Sequence, residues 1–327
     1  MFKLTAKLAN LSLERSDDMY SSAECPTVEK DYLPCNQRPI VGILSQEVTG
    51  LLKDYYGDHY AYISAAYVKH VESAGGRVVP IWIGKDRNYY RSILSLINGV
   101  LLPGGASYFN VTDGYAEAGM YIMEIANEFN MNGDFFPVWG TCLGFELIGY
   151  VANNNHEIRE DCSSHNEAIP LRFKPDFACS KLFRNMPESL IQVLARENST
   201  MNFHQYCITE RGMEKNGLLR SWTIMSTNTD ENGLEYVSTM EHKTMPYWGV
   251  QFHPEKPAYE WNPKHNTPHT FNTIRANQYF ADFFVEQTRK NCHKFPSYEQ
   301  ERLYLIYNFP ATYGKPQSTF TQLYFFD

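Results

Sequence analysis

The chain has 327 residues, 43% of them hydrophobic, with 29 Lys and Arg against 37 Asp and Glu for a formal net charge of -8. That is material for one large α/β domain or two small ones. The acidic balance, with no run of five like charges, gives no basic footprint for nucleic acid, and no apolar stretch reaches the roughly 18 residues a membrane span needs.

Residues 1–36 are polar and without a sustained period of 2 or 3.6, and they lack the apolar core of a signal peptide; they read as a lead-in segment. From residue 37 to 327 no linker or repeat interrupts the chain, so this stretch reads as a single catalytic domain that includes the aromatic-rich C-terminal tail. PIVGILS (Pro39 to Ser45) predicts a strand, and the apolar spacing from Tyr60 to Ala74 predicts a helix closed by Gly75 and Gly76. Strand Arg77 to Ile83, helix Tyr89 to Ile97, strand Gly99 to Gly105, helix Tyr115 to Asn130, strand Phe135 to Gly140 and helix Gly144 to Val151 follow. Four successive βα units imply a parallel sheet covered by helices on both faces.

After His156 the pattern turns more antiparallel in character. Strand-like runs lie around Ile191 and at Trp222 to Thr227, Glu235 to His242 and Tyr247 to Phe252. Phe271 to Lys290 predicts an amphipathic helix, and the Tyr- and Phe-rich tail after it predicts a segment packed on the domain.

The chemistry concentrates in FFPVWGTCLGFELIGY (Phe135 to Tyr150). An apolar strand ends at Gly140, Cys142 occupies the turn and Gly144 opens a helix. Small residues two before and two after a nucleophile let the chain turn sharply, and the helix N-terminus favours a thiolate. A cysteine nucleophile needs a base. Of ten histidines, His253 in YWGVQFHPE has the right setting: it follows an apolar strand, and Glu255 two residues on can accept its second ring N–H. LLPGGASY (Leu101 to Tyr108) offers close backbone approach at Gly104 and Gly105, so the N–H groups of Gly105 and Leu143 are the candidate oxyanion donors.

LPGG, GTCLGFE and WGVQFHPE, in that order, resemble the oxyanion strand, nucleophile elbow and His-x-Glu of the class I glutamine amidotransferase-like family, over roughly Arg38 to Lys290. The resemblance implies a three-layer αβα sandwich with a central, mostly parallel sheet and a Cys142–His253–Glu255 triad. Glutaminase elbows usually carry Gln four residues after the cysteine, where this chain has Glu146. That departure, together with RPIVGILSQE and STMNFHQY, resembles the gamma-glutamyl hydrolase branch. It implies cysteine-dependent cleavage of γ-glutamyl amide bonds in poly-γ-glutamylated folates, small-molecule substrates, with Glu146 and His204 near the substrate, no cofactor and no metal, and it leaves a homodimer open. Two alternatives stand beside it: a glutaminase subunit that feeds a synthase, and an inactive binding protein on the same fold.

Seven cysteines fit three disulfides plus one working thiol, with about 15 pairings available to the six. Sequons at Asn10, Asn110 and Asn198 point with them to a lysosomal or secreted location. CSSH (Cys162 to His165) and HNTPH (His265 to His269) have ligand-like spacing but no matching second pair, so no metal site is expected.

Overall fold

In a computed structural model that describes residues 34–327, β1 (Ile40–Leu44) is buried along its whole length. β2 (Gln46–Glu47), a short helix α1 (Gly50–Tyr56) with no buried residue, β3 (Ala61–Ser64) and α2 (Ala65–Ser73) come next. The alternation continues through β4 (Arg77–Ile81), α3 (Arg87–Leu94), β5 (Gly99–Leu102), α4 (Tyr115–Met131), β6 (Val138–Thr141) and α5 (Leu143–Ala152). Then come β7 (Arg159–Ile169), β8 (Arg172–Phe173), α6 (Glu188–Arg196), β9 (Thr200–Ile208) and α7 (Glu210–Lys215). β10 (Trp222–Thr229), β11 (Glu235–His242), β12 (Tyr247–Val250), α8 (Lys256–Tyr259) and α9 (Phe271–Thr288) follow. α10 (Tyr298–Tyr304), β13 (Ala311–Tyr313) and β14 (Gln322–Phe326) close the chain.

The large sheet has eight strands in the order β4-β1-β5-β6-β12-β11-β10-β8. The first five are mutually parallel, and β12, β11, β10 and β8 run antiparallel to one another in turn. Helices α2, α6 and α9 pack together on one face and α3, α4 and α5 on the other. This is the expected three-layer αβα sandwich. Strands β1, β5 and β6 are continuous apolar runs because both faces of a parallel sheet are covered. Between β1 and β5 the strand order reverses, and it is at the carboxyl ends of strands near such a switch point that open α/β sheets carry their ligand sites.

Two expectations fail, and each for a physical reason. Residues 61–64 form β3 and not the first turn of a helix, because β3 pairs with both β2 and β14. Its partner β14 lies at the far end of the chain, so no local pattern announces it. The run around Ile191 is helix α6, which buries Ile191, Val193 and Leu194 against α9. The tail packs on the domain as expected, and it does so as strand: β13, β14, β3 and β2 make a second, four-stranded sheet.

Disulfides join Cys35 to Cys292 and Cys162 to Cys207; Cys179 is also disulfide-bonded. Among the described residues Cys142 is the free thiol. Cys25 and the Asn10 sequon lie outside the described residues, while Asn110 and Asn198 are exposed.

Candidate active site

Strand β6 delivers the chain to Cys142, whose φ of 50 and ψ of -109 lie in a region L-residues rarely adopt. Such a conformation costs about 1–3 kcal/mol and persists only where its surroundings impose it. Here they do. The Cys142 N–H donates to the Val250 carbonyl at 2.8 Å, and its own carbonyl accepts from the Glu146 N–H at 2.9 Å. A Cβ on Gly144 would lie 1.9 Å from the Leu102 carbonyl oxygen, and one on Gly140 would lie 2.6 Å from the Gly144 carbonyl oxygen. The two glycines that marked the elbow in the sequence are therefore obligatory.

His253 reaches the same place because β12 lies next to β6 in parallel register, Val250 opposite Thr141. Its backbone N–H donates to the Met201 carbonyl at 2.8 Å, and its Nδ1 lies 2.7 Å from Glu255 Oε1. Gly104 sits between base and thiol: a Cβ there would be 2.8 Å from His253 Cε1 and 3.0 Å from Cys142 Cβ. Tyr67, which the sequence did not flag, accepts from the Gly104 N–H at 2.8 Å and lies 3.2 Å from His253 Nδ1. With Nδ1 engaged by Glu255, Nε2 is the ring nitrogen left to exchange a proton. Burial pushes the imidazole below its ordinary value, and Glu255 offsets part of that. Burial pushes the Glu255 carboxyl up, but His253 and Lys256 outweigh it and hold the group ionised.

The strand end at Pro103–Gly105 is clamped by Gln46, whose Nε2 donates to the Pro103 and Gly104 carbonyls at 3.1 Å each. Tyr62 donates to Gln46 Oε1 at 3.0 Å. A Cβ on Gly105 would meet that Oε1 at 1.7 Å, so a larger residue would push the Gln46 clamp aside. The Leu143 N–H faces the Cys142 sulfur.

The thiol itself departs from expectation. Burial, then the charges of Glu146 and Glu255, push Cys142 well above its ordinary value, and the Leu143 N–H and Lys256 compensate only in part. One turn of helix N-terminus does not outweigh desolvation here. Burial thus disfavours the thiolate and the imidazolium alike.

Glu146 is 3% exposed and lies behind the thiol, outside the residues lining the cleft. Gln251 bridges the two, its Nε2 3.0 Å from Glu146 Oε1 and 3.9 Å from Cys142 Sγ. Arg159 donates to Glu146 Oε2 at 3.2 Å. Burial pushes Glu146 up to about 7 in spite of that pair, whereas Arg159 is held above its ordinary value. The two shifts disagree on whether the pair is favourable. Arg159 is shared with Glu157 and less buried, so the carboxylate's desolvation decides.

His204 is likewise absent from the cleft wall. On β9 it points away from the side that Phe203 presents to the cleft, is 5% exposed, and is pushed by burial down to about 3. The alternation of a strand explains it: neighbours face opposite sides.

The cleft has a volume of about 440 Å³. Cys142, His253, Gly104 and Gly105 form its floor; Leu51, Leu52, Tyr108, Phe203 and Phe320 form apolar walls, with His165 and Lys256 between them. Lys256, 4% exposed, holds its ammonium 5.0 Å from the Phe203 ring centre and 5.6 Å from that of Phe320. Gln46, Tyr67, Gln251 and Lys256 were missed in the sequence. Lys256 alone carried a local signal, as a cation three residues after His253. The CSSH and HNTPH segments meet at Phe203, on which His165 and His265 each pack a ring, while Cys162 is taken up in its bond to Cys207.

The sequence profile of the peptidase C26 family matches residues 39–255. Gamma-glutamyl hydrolase B of Dictyostelium discoideum is 39% identical over 293 residues, covering 89% of this chain and 84% of that protein. The gamma-glutamyl hydrolase of Mus musculus is 38% identical over 92% of this chain and 94% of its own length. For that of Homo sapiens the identity is 37%, over 89% and 90%. Among solved structures, a GMP synthase protein from Thermoplasma acidophilum aligns with 77% of this chain and 95% of its own at 15% identity, with a TM-score of 0.46.

Proposed function

As a member of the peptidase C26 family this chain is a cysteine-type γ-glutamyl hydrolase, and we propose that it cleaves poly-γ-glutamylated folates with Cys142 as nucleophile and His253 as base. The observation that carries the assignment of residues is the strained free thiol at the strand end, with an imidazole locked on Glu255 beside it.

Because burial disfavours both the thiolate and the imidazolium, the proton moves as the substrate carbonyl arrives. Cys142 Sγ attacks the γ-carbonyl carbon while His253 Nε2 takes its proton, and Glu255 stabilises the imidazolium that forms. The N–H groups of Leu143 and Gly105 receive the oxyanion. His253 returns the proton to the departing α-amine, breaking the C–N bond and leaving a thioester. The same imidazole then deprotonates water, which releases the γ-glutamyl acid and restores the thiol.

Lys256 supplies the cation a γ-linked tail needs, since each residue of such a tail presents a free α-carboxylate. Desolvated and flanked by aromatic rings, it is a positive charge available in the lining of the cleft. Glu146 and His204 support the site from behind: Glu146 orients Gln251 beneath the thiol. Residues 37–327 act as one catalytic unit, a reading supported by the pairing of β14 with β3.

No helix among the described residues is long and apolar enough to cross a membrane. Disulfides and exposed sequons at Asn110 and Asn198 support a secreted or lysosomal setting. The decisive test is mass analysis of the products from a pteroyl poly-γ-glutamate: release of glutamate or γ-linked oligoglutamate is expected, and an intact tail after prolonged incubation would overturn the assignment.

A further inference from the structure

Strands β7 and β9 form a separate antiparallel ribbon beside the cleft, cross-linked by Cys162–Cys207. His204 lies against that link, its Nδ1 3.5 Å from Cys162 Sγ and 3.4 Å from Cys207 Sγ. The three donor atoms all fall within 4.8 Å of one another. A disulfide sulfur carries no hydrogen, so it donates nothing to Nδ1 in the oxidised protein.

The tautomer of His204 sharpens the point. Asn202 donates its amide N–H to the Thr200 carbonyl at 3.0 Å, which turns its Oδ1 toward His204 Nε2 at 3.1 Å. Nε2 thus has an acceptor for the ring proton, so that, although the Tyr206 carbonyl also accepts from this ring, Nδ1 can be freed to offer its lone pair beside the two sulfurs. A partner on one ring nitrogen that frees the other is the arrangement by which proteins orient a metal-ligating histidine. The ribbon also has slack where it is needed: its register shifts between Asp161 and Ser164, so Cys162 sits in an irregular stretch. Cys207 is fully buried, whereas Cys162 is half-buried and within reach of a reductant.

We propose that reduction of Cys162–Cys207 opens a binding site for a thiophilic divalent cation, Zn²⁺, held by both thiolates and His204 Nδ1. A dithiol supplies the two electrons that break the S–S bond, its protons pass to the cysteine sulfurs, and it leaves as a disulfide. Zn²⁺ then displaces the two thiol protons, forming two Zn–S bonds and one Zn–N bond. Typical lengths of ~2.3 Å and ~2.0 Å fit donors this close once the sulfurs separate. Two thiolates and an imidazole select Zn²⁺ over the hard cations Mg²⁺ and Ca²⁺. The ribbon thus keeps a cross-link in either redox state, one covalent and one coordinate.

Titration of the full-length chain with Co²⁺, after reduction by a phosphine, reads the site through the thiolate-to-cobalt charge-transfer absorption. One equivalent should bind with that band in the reduced protein and none with the disulfide intact. Cys162→Ser should abolish the band, and Asn202→Ala should weaken binding by roughly tenfold. No band on reduction, or an undiminished one in Cys162→Ser, overturns the proposal. Should these variants fail to fold, alkylation of the reduced wild-type chain decides: Zn²⁺ should protect Cys162 and Cys207 selectively, and equal protection of Cys35 and Cys292 counts against the site.

Discussion

The elbow and the β7–β9 ribbon both border the cleft, and they are built on opposite terms. Around Cys142 the backbone is so closely packed that Gly104, Gly140 and Gly144 each lack room for a single methyl group. The ribbon instead carries two register shifts and half-buried positions along most of β7, and it is held by a cross-link. Geometry that must be held to a fraction of an ångström is thus entrusted to packing, while the ribbon wall of the cleft is allowed slack.

The contrast breaks most visibly at the thiol. Cys142→Ala should lower turnover of a γ-linked oligoglutamate by roughly 10⁴-fold or more while the circular dichroism stays unchanged. Residual turnover within tenfold of wild type would place the nucleophile elsewhere. Gly144→Ala attacks the packing itself, since the added Cβ would overlap the Leu102 carbonyl. About 3 kcal/mol of stability should be lost, read from the midpoint of urea denaturation. In α7, which follows the ribbon, Gly212→Ala would bring a Cβ no closer than 3.1 Å, to the Thr209 hydroxyl, and should cost far less.

Much of the rigid region is legible in the sequence alone, because its constraints are local. Gly140, Cys142 and Gly144 follow one another along the chain, and His253 and Glu255 are two residues apart. The alternation of β1 to α5 is equally readable, since each apolar run is contiguous. What stays hidden is long-range. Gln46 clamps Gly104 from a different strand end, Gln251 joins Glu146 to the thiol, and β3 becomes a strand through β14. The preference of the thiol for its proton is hidden for another reason: a helix N-terminus is visible in sequence, but burial is not.

Lys256 tests the cleft between the two regions. Lys256→Met keeps the apolar stem against Phe203 and Phe320 and removes the charge. If the ammonium binds a tail carboxylate, KM should rise by about 10- to 100-fold, the equivalent of one charge-assisted hydrogen bond, with a smaller change in kcat. An unchanged KM would assign carboxylate recognition to other groups.

Glu146 gives a test of sign. Its folded-state value of about 7 is above the ordinary 4.5, so folding binds its proton more tightly than the unfolded chain does. The stability it contributes is complete below about pH 4.5 and is lost as pH rises through 7, a difference of about 3 kcal/mol over the window. Glu146→Gln removes that titration, so its unfolding free energy should lack this decline. The same charge raises the Cys142 thiol as it appears, so wild-type activity should fall on the alkaline side of 7 while the variant's falls later. On the acid side, depression of His253 by burial keeps the base neutral below its ordinary 6.5, and that limb should be shared by both proteins. Parallel stability curves for the two proteins between pH 4.5 and 7.5 would show that Arg159 and Gln251 hold Glu146 ionised throughout, and that burial is not what governs the group behind the thiol.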